Sequence, residues 1–158
     1  MTESVDVVGA IEAVRQAFTP ISPDAFVKEI ERDIGQVKDL EAFCHEALGV
    51  TDELSDLFSA ERREERTIEA RLHKLDELDE QIMQEQEGTK LVRTVSQMVI
   101  NASVNGPYAH PKPDETPAQK EHRVMQLSRV TYSGLEQACK RLIKMYEGAL
   151  ERLRGDTD

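Results

Sequence analysis

Residues 117–154 read PAQKEHRVMQLSRVTYSGLEQACKRLIKMYEGALERLR, and apolar side chains recur along them at alternating steps of four and three residues. A repeat of this kind predicts a long α-helix that packs lengthwise against another helix. The repeat is formed by Thr131, Leu135, Ala138, Leu142, Met145 and Ala149. Further apolar residues broaden the stripe, so we expect more than one neighbouring helix to cover it.

Two shorter helices are predicted before residue 50. Apolar residues at helical spacing predict a helix over residues 5–18. Ser22 resembles an N-cap followed by Pro23 in the first turn, and Gly49 resembles the residue that closes a helix. These signals predict a second helix over residues 23–48.

A much longer helix is predicted in the middle of the chain. Thr51 is interpreted as its N-cap, and no proline interrupts residues 51–104. Gly88 marks the most plausible break, because glycine costs about 1 kcal/mol in a helix interior. Residues 105–116 are rich in proline and predict an extended connection to the last helix, over residues 117–154.

The composition agrees with a helical fold. The chain has 158 residues, of which 39% are hydrophobic and 32% are charged, and it contains no tryptophan. It is too apolar for a disordered chain, and its abundant Glu, Lys, Leu and Ala favour helices. We therefore predict a single all-α domain over residues 1–158, an antiparallel bundle of three to five helices with long, coiled-coil-like members.

The net charge of −11 is unevenly distributed along the chain. Residues 1–50 carry ten acids and four bases, residues 51–88 carry 13 and 5, and residues 89–158 carry 8 and 11. We expect the acidic first half to pair with the basic last segment inside the fold. The acidic surface disfavours a nucleic-acid partner, because phosphates would be repelled.

The cysteines and the N-terminus indicate the cytoplasm. Cys44 and Cys139 are far apart in the sequence and lie among apolar helix positions, so we expect two reduced core thiols. Residues 1–10 lack the basic and apolar regions of a signal peptide, and no apolar stretch reaches the roughly 20 residues of a membrane span. The sequence therefore predicts a cytoplasmic protein without a membrane span.

Sequence motifs predict no catalytic, cofactor or metal site. The histidines have no nucleophile motif around them, and the isolated glycines form no phosphate-binding loop. Glu41 lies one turn before His45 and Glu69 one turn before His73, but the Glu-x-x-His motif of carboxylate-bridged metal sites is absent. We interpret both pairs as helix-surface contacts. The chain is predicted not to be an enzyme; the alternative is an enzyme with an unfamiliar site in a helical bundle.

A charged stretch and the proline-rich connection are candidate binding surfaces. In the stretch SAERREERT, which has one apolar residue, Arg62, Arg63 and Arg66 either stay solvated or form a docking patch for a partner's carboxylates. In the connection, Tyr108, His110 and Lys112 are exposed-loop candidates. For both segments the simpler interpretation, a solvated surface and a linker, is favoured.

We expect a non-enzymatic helical subunit for protein–protein interaction or assembly, such as an adaptor, a scaffold or a chaperone-like protein. Leu135 and Leu142 are the candidate contacts of the apolar seam with a protein partner or a second copy of the chain. A third possibility is a nucleic-acid or anionic-surface binder that uses the basic last helix. Its candidate residues are Lys140, Arg141, Lys144, Arg152 and Arg154.

Overall fold

The chain folds as an all-α bundle in a computed structural model that describes residues 7–11, 23–88 and 90–155. The predicted fold class is confirmed. Helix α1 contains residues 7–11, and the remainder of the predicted helix over 5–18 lies outside the described residues. The other helices are α2 (Pro23–Ser59), α3 (Glu65–Gln86), α4 (Lys90–Val104) and α5 (Pro117–Gly155).

Helix α2 is the central helix of the bundle, because it packs along both α3 and α5. Its apolar side chains recur every three or four residues on the buried side, as the amphipathic pattern requires. The residues of α2, α3 and α5 that fill the core between them include Val37, Leu40, Cys44, Leu54, Leu75, Leu78, Leu135 and Cys139. The long seam of α5 is therefore covered largely from within the chain.

Helix α2 continues through Gly49, so the predicted helix end at Gly49 and the predicted cap at Thr51 are wrong. The Thr51 hydroxyl donates to the Ala47 carbonyl oxygen at 2.9 Å, a contact between successive turns of one helix. Val50 and Leu54 are buried, and burying such side chains stabilises a fold by about 1.5–3 kcal/mol each. This gain exceeds the roughly 1 kcal/mol that glycine costs inside a helix.

The predicted helix over 51–104 is divided into three parts. The chain leaves helical geometry at residues 60–64, because this charged segment has no apolar face to place on a core. Helix α3 then runs antiparallel to α2, since Arg71 pairs with Glu53 and Lys74 with Glu46, both at 3.4 Å. Later residues of α3 thus meet earlier residues of α2.

The predicted break at Gly88 is confirmed, because α3 ends at Gln86 and α4 begins at Lys90. The Gly88 amide donates to the Glu85 carbonyl oxygen at 3.1 Å. A β-carbon at Gly88 would lie 3.1 Å from the Glu85 carbonyl oxygen, so the tight turn itself favours glycine; the side-chain oxygen of Gln36, at 2.9 Å, could move away. Helix α4 then packs mainly against α5.

Helix α5 begins at the predicted residue, with a reciprocal capping box. The Gln119 amide donates to the Thr116 hydroxyl oxygen at 3.2 Å, and the Thr116 amide donates to the Gln119 side-chain oxygen at 3.0 Å. Helix α5 runs antiparallel to α2, as the pairs Arg129–Asp52 at 3.0 Å and Lys38–Glu147 at 3.7 Å show. The basic last helix therefore does lie beside acidic residues of the first half.

Candidate partner-binding site

Both candidate binding surfaces lie at the same end of the bundle. The α2–α3 turn at residues 60–64 reaches the first turns of α5, because Arg63 donates to both carboxylate oxygens of Glu121 at 3.0 and 2.6 Å. The connection at residues 105–116 is attached to the same turns through Arg123. We call residues 60–64, 105–116 and 117–123 the loop end.

Arg63 is engaged within the chain. Its guanidinium also pairs with Glu65 at 2.6 Å and lies 5.2 Å from the centre of the Phe58 ring. The hydrogen bond from Arg63 holds the pKa of Glu121 below its usual value, because it stabilises the charged carboxylate. Arg62 and Arg66 are exposed. Of the three arginines of the predicted patch, Arg62 and Arg66 are therefore accessible to a partner, whereas Arg63 fixes the shape of the turn.

The connection is folded into turns, so the predicted extended conformation is wrong. The Ala109 amide donates to the Gly106 carbonyl oxygen at 3.3 Å, and the Glu115 amide donates to the Lys112 carbonyl oxygen at 3.2 Å. Each of these four-residue turns has a proline at its second position, where the fixed φ of proline favours a turn. The prolines therefore shape this connection instead of extending it.

Arg123 fixes the connection on α5. Its Nε donates to Glu115 Oε1 at 2.6 Å, and its Nη2 donates to Glu115 Oε2 at 3.3 Å. Its Nη1 donates to the Tyr108 carbonyl oxygen at 3.0 Å. A paired arginine–carboxylate contact of this kind is strong and directional. One side chain thus joins both halves of the connection to the helix that follows it.

Two clefts flank the first turns of α5 and share Ala118 and His122 in their linings. The first, which we call the loop cleft, has a volume of about 560 Å³. Its lining residues include Tyr108, His110, Lys112, Glu115, His122 and Arg123. The second cleft has a volume of about 400 Å³, and Phe58, Ser59 and Arg129 are among its lining residues.

Several of these residues were not predicted as site residues. The sequence favours a linker for the connection, and no motif in it predicts a role for Glu115, Glu121, His122 or Arg123. The capping box predicted where α5 begins and therefore that Arg123 lies in its second turn. No local signal shows that this arginine reaches back eight residues to Glu115, because that contact depends on the two turns between them.

The predicted seam residues are placed away from the loop end. Leu135 and Leu142 are 2% and 4% exposed and belong to the core. A folded chain therefore does not present either side chain to a partner. Of the basic residues of α5, all five candidates are exposed; Lys140 pairs with Glu136 at 3.3 Å and Arg154 pairs with Glu31.

The predicted histidine pairs differ from the observed ones. His45 contacts Glu136 of α5 at 3.1 Å instead of Glu41, and His73 contacts Glu77 at 3.2 Å instead of Glu69. The described residues contain no group of three or more His, Cys, Asp or Glu placed to bind a metal ion. Nor does any described helix combine the length and apolar character that crossing a membrane requires.

Both cysteines are free and buried in the core. Burial raises the pKa of the Cys139 thiol to about 12, and burial raises the pKa of Cys44 further. A raised thiol pKa lowers the reactive thiolate fraction at pH 8. We expect a thiol reagent to label the native protein at least about 100-fold more slowly than the urea-unfolded chain. Rapid labelling of two thiols in the native state would contradict this burial.

Comparison with known proteins gives no assignment for this chain. No family model matches it, and no curated protein and no solved structure shows a significant match.

Proposed function

We propose that this chain is a non-enzymatic subunit for protein–protein interaction that binds its partner at the loop end. The observation that carries the proposal is the fixed shape of an exposed, proline-rich connection. Long irregular connections in compact domains are usually functional or disordered, and this one is held by two turns and by Arg123. A surface held in one shape loses less entropy when a partner binds.

The side chains at this end also suit a protein interface. Tyr108 is 38% exposed, and Val104 and Val124, on either side of the connection, are 55% and 36% exposed. Interfaces are enriched in aromatic side chains, and the residues that contribute most to binding are Trp, Tyr and Arg side chains packed into pockets. The two clefts supply pockets for a partner's side chains, Tyr108 supplies an aromatic anchor, and Val104 and Val124 extend the apolar contact area.

Binding is favoured over nucleophilic catalysis at this end. The second cleft contains Ser59 and His122. The Ser59 hydroxyl, however, donates to the Ser55 carbonyl oxygen at 2.9 Å, and the described residues show no hydrogen bond between a serine and a histidine side chain. A serine nucleophile needs such a base within hydrogen-bond reach.

A photo-crosslinking experiment tests the proposal. A photoreactive phenylalanine analogue replaces Tyr108 in the full chain, and the same analogue replaces exposed Glu80 of α3 as the control. After irradiation in cells that produce the protein, we expect one discrete adduct from position 108 and none from position 80. Mass spectrometry would identify the adduct as another protein or a second copy, and light scattering would give the mass of the purified complex.

A variant that releases the connection from α5 provides a further control for this experiment. Arg123→Ala removes the contacts to Glu115 and Tyr108, so we expect the adduct from position 108 to be lost. Arg154→Ala, near the other end of the same helix, removes an exposed ion pair with Glu31 and is expected to leave the adduct unchanged. The proposal fails if position 108 gives no adduct, or if positions 108 and 80 give the same products.

A further inference from the structure

The loop cleft is locally cationic in an acidic protein. Its lining contains Lys112, Arg123 and two histidines, and Glu115 is its one carboxylate. Both oxygens of Glu115 are engaged by Arg123. Lys112 has no ion pair with any described residue, so its ammonium group is available to a ligand. A chain with a net charge of −11 thus has a cleft whose unpaired charge is positive.

The position of the cleft on α5 also favours a negatively charged ligand. Ala118 and Gln119, in the first turn of α5, are part of its lining. The N-terminus of a helix carries a partial positive charge, which favours a nearby anion. Lys112 and this helix end therefore act together on a group bound between them.

We propose that the loop cleft binds carboxylate side chains of an acidic segment in the partner protein, an inference that rests on the proposed function of the loop end. Lys112 binds a carboxylate, and ring N–H groups of His110 and His122 donate to it. Pro107 and Tyr108 contact the aliphatic part of the same segment. A volume of about 560 Å³ lies within the range of ligand sites and accommodates several side chains.

The charge character of this site predicts its salt dependence. Lys112 is exposed, so its attraction for a carboxylate is screened by added salt. Binding should weaken as the ionic strength rises, in contrast to a contact made by apolar side chains.

An NMR titration of the full-length, ¹⁵N-labelled protein tests the inference. The probe is a capped peptide of six glutamates, and capped peptides of six glutamines and six lysines are the controls. We expect the glutamate peptide to shift the amides of residues 108–112 and 118–123 and the control peptides to leave them unchanged. Lys112→Glu should weaken binding at least about tenfold, because it places like charges together.

A matched variant excludes a general charge effect. Lys28→Glu makes the same charge change on an exposed residue of α2 near the opposite end and is expected to change the affinity less than about twofold. The inference is overturned if the glutamate peptide causes no shifts, if Lys28→Glu weakens binding as much as Lys112→Glu, or if inorganic phosphate occupies the cleft equally well. If the crosslink from position 108 persists in those cases, the proposed function stands and only the acidic ligand is wrong.

Discussion

Leu135→Glu is expected to unfold the chain instead of releasing a partner from it. The Leu135 side chain lies in the core shared by α5 and α2. A carboxylate there would be buried without a partner, which costs about 3–5 kcal/mol. Total stabilities of about 5–15 kcal/mol are typical for domains, so this loss is large. Urea denaturation followed by circular dichroism would measure the change in the free energy of unfolding.

Met145→Glu is the matched control for this prediction. Met145 lies on the same helix and belongs to the same repeat, but it is 36% exposed. The new carboxylate would reach water, so we expect the free energy of unfolding to fall by less than about 1 kcal/mol. The prediction is contradicted if the wild-type protein self-associates and Leu135→Glu converts it into a stably folded monomer. The seam would then be an interface between chains and not part of the core of one chain.

Gly49→Ala and Gly49→Pro are expected to change stability in opposite directions. Apart from its chain neighbours and the backbone of its own helix, no atom lies within 4 Å of a β-carbon built at Gly49, and the φ of Gly49 is not positive. Alanine should therefore stabilise the continuous helix by about 1 kcal/mol. Proline should destabilise it by about 3 kcal/mol or more, because it removes a backbone hydrogen bond and clashes with the preceding turn. Thermal and urea unfolding would measure both changes.

Gly35→Ala provides the comparison for this pair of variants. Gly35 lies in the same helix, and the space around its β-carbon is also open, so alanine should stabilise the protein by a similar amount at both positions. A helix that ended at Gly49 would give a different result. Glycine in a left-handed closing position resists replacement by alanine, and Gly49→Ala would then reduce stability while Gly35→Ala increased it.

Signals contained within one or two turns predicted most of the helical structure. The start of α5 follows from Thr116 and Gln119, which are three residues apart and bond to each other. The break at Gly88 follows from the backbone cost of glycine. The same cost led to a wrong prediction at Gly49, because burial of Val50 and Leu54 against other helices outweighs it. The backbone cost of glycine can be read from the local sequence at both Gly49 and Gly88. The burial that compensates for it at Gly49 depends on other helices and cannot be read there.

By itself, the sequence determined the helical class, the long apolar repeat of α5 and the charge asymmetry between the two halves of the chain, because each depends on residue types at fixed spacing. Tertiary structure alone decided which surfaces remain free. In the folded chain Leu135 is buried, Arg63 bonds to Glu121, which is 58 residues away in the sequence, and two separate loops lie at one end of the bundle. Those outcomes depend on how whole helices pack, since a contact between distant segments forms only when the core between them is filled.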